Sequence, residues 1–277
     1  MAGMLYLVPT PIGNLGDISP RCRQTLAEAD FIAAEDTRVT LKLLNFLEIK
    51  KPLVSYYEHN KKESGPRIVE RILAGEMCAL VSDAGSPAIS DPGEDLVRLC
   101  AEAEIPVSAI PGPCAAVSAL SISGLPTGRF CFEGFLSTNK KSRQEHLSGL
   151  AHETRTMIFY EAPHKLTRTL ADLSAAFGPD RRISLCRELT KLHEQVVRTT
   201  LAQACALYAE TPPRGEFVLI VEGAQHERQE TLTLDDAVAM ALDAIRAGAS
   251  KKDAVRQISA ETGVAKNILY DAVLHAE

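Results

Sequence analysis

Val81-Ser82-Asp83-Ala84-Gly85-Ser86-Pro87-Ala88-Ile89-Ser90-Asp91-Pro92-Gly93 lies between two segments of different periodicity. Before it, Met77-Cys78-Ala79-Leu80-Val81 is a continuous apolar run of the kind that forms a strand buried on both faces. After it, Leu96, Val97, Leu99, Cys100 and Ala103 recur at helical spacing between Glu94 and Glu104. Asp91, Pro92 and Glu94 read as an N-cap, a first-position proline and the return carboxylate of a capping box. The unit is therefore strand, loop, helix, and in an open α/β sheet a ligand binds at the carboxyl ends of the strands. The loop holds two Gly, two Pro, three Ser and two Asp, with no Lys or Arg. Small side chains let a ligand approach the backbone, and Asp83 can accept hydrogen bonds from hydroxyl or amino groups. The missing lysine of a GK[ST] motif argues against a nucleoside triphosphate.

Working outward, Leu5 to Val8, Phe31 to Ala34, Leu53 to Ser55 and Pro106 to Ile110 read as further strands. Helical patterns separate them at Pro20 to Ala29, Thr40 to Phe46, Arg67 to Ala74 and Cys114 to Ser121. Such alternation predicts a largely parallel sheet covered on both faces. In that sheet Pro9-Thr10-Pro11-Ile12-Gly13-Asn14, the Asp83 loop and Pro111-Gly112-Pro113 all open on one edge. Three loops rich in Gly and Pro define a pocket for an uncharged or zwitterionic ligand, and Ala115 and Ala116 leave room for a flat ring. The best linker signal is Ser123 to Gly128, which gives an N-terminal α/β domain over 1–123.

Beyond it, strands are expected at Phe130 to Gly134, Thr156 to Tyr160, Ile183 to Arg187, Glu194 to Thr199 and Glu216 to Val221. The short connection between the third and fourth suggests antiparallel pairing, so 124–226 reads as a second α/β domain with a mixed sheet. A polar run, Gln225 to Glu230, then leads to a helical module over 227–277. Thr233-x-x-Asp236 and Ser250-x-x-Asp253 are capping-box starts, and Gly263 sits in the turn of a helix-turn-helix-like pair. That pair can dock nucleic acid or simply pack.

Composition bounds the function. The 277 residues are 45% hydrophobic and 24% charged, as in ordinary globular proteins. Met1 to Val8 carries no basic n-region and Pro9 and Pro11 stop its short apolar run, so neither a signal peptide nor a membrane span is expected. Seven scattered cysteines without a CxxC pair read as reduced thiols of a cytoplasmic protein, with no metal site. A net charge of −6 means that any nucleic acid must be held by a local basic face. Candidates are Lys50-Lys51, Lys61-Lys62, Lys140-Lys141 with Arg143, Arg181-Arg182 and Lys251-Lys252.

Glu35-Asp36-Thr37-Arg38 ends the second strand with two carboxylates and an arginine. Either Asp36 or Thr37 caps a helix with Arg38 in a surface ion pair, or Glu35 or Asp36 serves a substrate or a proton. Phe159-Tyr160-Glu161 and Arg187-Glu188-Leu189-Thr190-Lys191 end strands of the second half, and their charges either face the cleft or are solvated.

Taken in order, these motifs resemble one family. Val8-Pro9-Thr10-Pro11-Ile12-Gly13-Asn14-Leu15, Ala34-Glu35-Asp36-Thr37-Arg38, the Asp83 loop, Pro111-Gly112-Pro113-Cys114-Ala115-Ala116, Phe132-Glu133-Gly134-Phe135-Leu136, Arg187-Glu188-Leu189-Thr190-Lys191 and Gly215 to Gly223 are similar to those of the bacterial ribosomal RNA small subunit methyltransferase I family, in the tetrapyrrole methylase superfamily. The resemblance spans residues 4 to 275 and includes the helical module. It implies two α/β domains of the tetrapyrrole methylase type with S-adenosyl-L-methionine in the cleft between them, no metal, and a homodimer. The implied activity is 2′-O-methylation of the ribose of a decoding-centre cytidine in 16S ribosomal RNA, within an assembled small subunit. Pro11, Gly13, Asp83, Gly85, Ser86, Ile89 and Ala115 are then expected to bind the cofactor, with Tyr160, Leu189, Gly215 and Glu216 closing the site. The family often carries His or Arg where this chain has Val39, so no side-chain role is expected there.

A ribose hydroxyl must lose its proton in or before the transition state. Glu35, Asp36 or Glu188, aided by Arg38 or Lys191, are the expected catalytic groups because they sit at strand ends facing the expected cleft. Methylation of a tetrapyrrole and a non-catalytic nucleic-acid-binding role are the competing readings.

Overall fold

The computed structural model describes residues 3–225 and 233–276. The chain divides into two compact units, Met1–Ala224 and Gln225–Glu277. Most of the polar run expected at Gln225 to Glu230 lies outside the described residues.

The first half of the larger unit runs β1 (Met4–Leu7), α1 (Pro20–Glu28), β2 (Phe31–Ala34), α2 (Thr37–Phe46), β3 (Leu53–Ser55), α3 (Lys61–Leu73), β4 (Met77–Val81), α4 (Glu94–Glu102), β5 (Val107–Ala109) and α5 (Ala115–Ile122). Its five strands are all parallel, in the order β3-β2-β4-β1-β5. Alternation along each strand feeds two cores. Ile32, Ala34, Ala79 and Val81 face Leu26 and Leu44 of α1 and α2. Phe31, Ala33, Cys78 and Leu80 face Ile68, Ile72 and Leu96 of α3 and α4. A sheet buried on both faces explains why these strands read as unbroken apolar runs.

The second half runs β6 (Phe130–Phe135), α6 (Lys140–Gly149), β7 (Thr156–Glu161), α7 (Pro163–Phe177), β8 (Arg182–Arg187), β9 (Gln195–Thr200), α8 (Leu201–Glu210) and β10 (Phe217–Val221). Its sheet has the order β6-β7-β10-β8-β9, with β6 and β7 parallel and the other neighbours antiparallel. The expected mixed sheet and the β8–β9 hairpin are both present. One face packs on α7 and α8 through Leu166, Leu170, Leu173 and Leu201. The other packs on α5, where Ala116, Ala119 and Leu120 meet Ile158, Val218 and Ile220. Helix α5 thus joins the two halves with a shared core, and Arg198 of β9 donates its Nε–H to the Ser123 carbonyl at 3.1 Å just beyond it.

Several boundaries differ from expectation. Helix α2 starts at Thr37 rather than Thr40, because the Asp36 side chain accepts from the Arg38 amide and nucleates the turn. Helix α3 starts at Lys61 and runs through Pro66, where Ser64-Gly65-Pro66 reads locally as a break. Helix α8, capped by Thr200, carries no clear signal in the sequence. Asp91 does not cap α4: the helix follows Gly93 at φ 150°, with no side-chain cap bond.

In the smaller unit, α9 (Leu234–Arg246), α10 (Lys251–Thr262) and α11 (Lys266–His275) enclose a core of Ala237, Ala241, Val255, Ile258, Leu269 and Val273. The Thr233–Asp236 capping box forms. Ser250 caps α10, and Gly263 ends it in the left-handed region at φ 74°.

Candidate active site

The three loops expected to share an edge are tied together by hydrogen bonds. Thr10 and Gly85 exchange both backbone bonds, at 2.9 and 3.0 Å. Ser86 Oγ donates to the Pro113 carbonyl at 3.1 Å, joining the second loop to the third. They form one wall of a cavity of about 460 Å3. The opposite wall comes from the second half: Phe135, Tyr160, Glu161, Leu189, Glu216 and Phe217. Of the residues expected to bind a cofactor, Asp83, Gly85, Ser86, Ile89, Ala115, Tyr160, Leu189 and Glu216 line this cavity. Pro11, Gly13 and Gly215 are absent from its lining.

Gly13 and Gly215 have a packing role. A Cβ on Gly13 would lie 2.5 Å from Lys191 Cγ and 2.9 Å from Thr190 Oγ1. One on Gly215, itself at φ 78°, would lie 2.5 Å from Glu188 Cγ. These glycines let the turn after β8 close against the first loop and the approach to β10. That turn holds Glu188 and Thr190 at positive φ, 51° and 65°. Lys191 Nζ binds Glu188 Oε1 at 2.8 Å and Glu216 Oε2 at 2.9 Å, and Glu188 Oε1 also accepts from the Glu216 amide at 2.9 Å. Hydrogen bonding from Lys191, then from the Glu216 amide, holds the Glu188 carboxyl below its usual range. Burial works against the Lys191 ammonium, but its bonds to Glu188 and Glu216 raise its pKa nonetheless. Neither Glu188 nor Lys191 lines the cavity; they brace its rim.

Tyr160 bridges the halves. The N-cap residue of α5, Cys114, offers no side-chain bond. Instead Tyr160 Oη accepts from the Ala116 amide at 3.0 Å, satisfying a helix-terminal donor from across the cavity. Phe132 and Phe135 pack edge-on to its ring at 5.1 and 5.5 Å. Burial pushes its phenol up to about 12.

The first-half wall is acidic. Glu35, Asp83 and Asp91 line it, and among the described residues no Lys, Arg or His lines any part of the cavity. Burial, reinforced by Asp91 and Asp83, raises the Glu35 carboxyl. Burial likewise raises Asp83, whose Oδ1 accepts from the Asp36 amide at 3.1 Å. Asp91 moves furthest, to about 6, again chiefly through burial. Asp36 and Arg38 are spent on each other. Hydrogen bonds from the Arg38 side chain and amide hold Asp36 at about 2, and the Arg38 side chain is 87% exposed.

Sequence reasoning left Asp91 as a cap and Glu161 undecided, yet both line the cavity. Glu161 is 4% exposed. It accepts from the Ala162 amide at 2.9 Å and from the Thr169 hydroxyl. Arg143 donates to that hydroxyl at 2.8 Å and pairs with Asp172 at 2.6 Å. Arg143, expected on a basic surface, is therefore a buried link behind the cavity wall. Other expected basic groups are also committed: Lys61 pairs with Glu58 and Asp95, and Arg182 with Glu222.

The cavity geometry coincides with clear similarity to known proteins. Residues 4–205 match the family described as Tetrapyrrole (Corrin/Porphyrin) Methylases. A ribosomal RNA small subunit methyltransferase I from Synechocystis sp. is 47% identical over 275 residues, covering 99% of each chain. The protein of that name from Bacillus subtilis is 44% identical over 277 residues, covering 98% of this chain and 94% of its own. Among solved structures, uroporphyrin-III C-methyltransferase from Thermus thermophilus complexed with S-adenyl homocysteine is 18% identical. It superposes with a TM-score of 0.55 over 79% of this chain and 97% of its own. A diphthine synthase gives 0.61 at 13% identity, over 81% and 91%. These last two share the fold. The relatives of full length and high identity fix the subgroup: the chain belongs to the ribosomal RNA small subunit methyltransferase I family of the tetrapyrrole methylases.

Proposed function

We propose that this chain is an S-adenosylmethionine-dependent methyltransferase acting on the ribose 2′-oxygen of a decoding-centre cytidine in 16S ribosomal RNA. The observation that carries the reading is a cavity with carboxylates on both walls and no cationic side chain. At about 460 Å3 it is within the range of small-molecule sites, roughly 300–1,000 Å3. Its chemistry fits the cofactor. Asp83 and Glu35 offer acceptors for hydroxyl and amino groups, and the carboxylates favour a positive centre. Ala84, Gly85 and Ala115 leave the backbone approachable, while Ile12, Ile89, Leu189 and Val218 supply apolar contact for a flat ring. When bound, S-adenosylmethionine supplies an electrophilic methyl group on a sulfonium.

The protein's own contribution is placement and proton handling. Displacement at a methyl carbon needs the incoming oxygen in line, so rigid walls supply much of the rate. Tyr160 locks one wall to α5, and the Glu188–Lys191–Glu216 cluster braces the rim. The same acidity disfavours the polycarboxylated tetrapyrrole alternative, because anionic substituents would face carboxylates without a counter-ion. A ribonucleoside brings a neutral sugar and base to the cavity and leaves its phosphates outside. There, exposed groups such as Lys140 and Lys141 of α6 are available to them. The reading includes a homodimer in the cytoplasm, and sedimentation of the purified protein checks the dimer.

The experiment is methyl transfer from labelled cofactor to assembled small subunits and to naked ribosomal RNA, followed by mapping of the modified nucleotide. Incorporation at one cytidine ribose is expected. Incorporation into neither substrate removes the reading.

A further inference from the structure

The sequence around Asp91 is suited to capping α4, where a carboxylate would be stabilised by the helix dipole. The structure spends it otherwise. Gly93, at φ 150°, makes the turn into the helix, and Asp91 lines the cavity instead. Ala88 and Ser90, just before it, are held at φ 67° and 63°. Non-glycine residues in that region are strained, and such strain persists where the surroundings impose it.

Five carboxylates line the cavity, and four are engaged. Glu216 is bound by Lys191. Glu161 accepts from Thr169 and the Ala162 amide. Asp83 accepts from the Asp36 amide. Glu35 accepts from the Asp83 amide. Asp91 has only the neighbouring Ser82 hydroxyl, itself shared with the Ala84 and Gly85 carbonyls at 3.4 Å, and no cation or backbone donor among the described residues. The groups facing it are Glu35 and Asp83 on its own wall and Tyr160 across the cavity, all acidic.

We propose that Asp91, the cavity carboxylate left with a single hydroxyl partner, is the general base that takes the proton of the acceptor hydroxyl. The inference rests on the methyltransferase reading. The acceptor O–H bond breaks with its proton passing to an Asp91 oxygen; the freed oxygen pair forms the new C–O bond, and the pair of the broken C–S bond stays on sulfur. Burial among acidic neighbours makes Asp91 a far better proton acceptor than an exposed aspartate, with a pKa of about 6, still ionised at neutral pH. Glu35, one of the three carboxylates expected as the base, instead receives a cofactor hydroxyl or amino group.

The test compares the unaltered protein with D91N and D91E in single turnovers at saturating cofactor and subunit. D91N should lose about 10^2- to 10^4-fold in rate, the usual worth of a general base. Its affinity for S-adenosylhomocysteine, read by calorimetry, should change by less than about threefold, separating chemistry from binding. D91E should recover part of the rate with a displaced pH inflection, and melting curves show that both variants are folded. A carboxyl 13C resonance titrating near pH 6 in the unaltered protein and missing in D91N provides a readout independent of turnover. Transfer by D91N at the rate and pH profile of the unaltered protein overturns the inference while leaving the function standing. Absence of transfer by the unaltered protein overturns both.

Discussion

Replacing Arg143 by alanine should unfold this protein more easily by about 3 kcal/mol, although the sequence presents Arg143 as part of a basic surface patch. The magnitude follows from its surroundings. The residue is 5% exposed, its Nε lies 2.6 Å from Asp172 Oδ2, and its Nη2 lies 2.8 Å from Thr169 Oγ1. Removing one partner of a buried ion pair costs about 3–5 kcal/mol, since the other charge is left uncompensated. The Asp172 side chain is 37% exposed and regains water, which places the loss near the lower bound. Urea unfolding of the variant, with the midpoint shift multiplied by the common slope, measures it. Arg143→Lys should not restore the stability, because a point-like ammonium cannot serve Asp172 and Thr169 in fixed directions. Lys140→Ala, on the exposed start of the same helix, should change stability by less than about 0.5 kcal/mol. An Arg143→Ala loss as small as that of Lys140→Ala would refute the buried link and return Arg143 to the surface. Asp172→Asn, which keeps a hydrogen-bond acceptor, should cost about 1 kcal/mol.

Gly215→Ala forces a Cβ to 2.5 Å from Glu188 Cγ at φ 78°, so about 2 kcal/mol should be lost and Tm should fall by about 4–8 °C in a thermal melt. Tyr160→Phe leaves the Ala116 amide without its acceptor, at a cost of about 1–2 kcal/mol, and hydrogen exchange at Ala116 should accelerate while the core of the second sheet stays protected. Asp91→Asn should stabilise the protein at pH 8, because the folded state holds Asp91 at about 6 against 3.8 unfolded and so pays to keep it charged. The full shift corresponds to about 3 kcal/mol; discounted for partial exposure, about 1–2 kcal/mol is expected, shrinking as pH falls through 6 and vanishing below 3.8. A difference that does not vary between pH 4 and 8 would contradict the burial of that charge.

The parts of this structure that could be read from sequence are those governed by short-range rules. β4 is an apolar run sealed on both faces, and the three loops at strand ends could be placed together because a parallel sheet sends all such loops to one edge. What escaped was settled by contacts distant in sequence. Arg143 has exposed Lys140 and Lys141 for neighbours, and only the docking of α6 on α7 buries it against Thr169. Asp91 satisfies every local rule for a cap, but the Gly93 turn directs it into the cavity. Tyr160 and Glu161 are consecutive on β7, and a strand sends such neighbours to opposite faces. Both nonetheless reach the cavity, because β7 ends there and α7 begins at Pro163. Gly13 and Gly215 were legible as special positions, but the close passage of the Glu188–Lys191 turn that each permits was not.

The acidity of the cavity has a consequence for how an acidic protein engages a polyanion. With a net charge of −6 and no cation lining the cavity, the site repels a phosphate wherever it is deep. On the proposed reading, affinity for RNA must therefore come from outside it, and the cavity contributes selection: a neutral sugar hydroxyl enters, a phosphate does not. Burial, and to a smaller extent the neighbouring carboxylates, raises Glu35 and holds Asp91 at about 6, so the proposed base is poised near neutrality. The fold is shared with a uroporphyrin-III C-methyltransferase and a diphthine synthase, so under the proposed reading the choice of acceptor falls to side chains such as Glu35, Asp83 and Asp91 rather than to the two sheets.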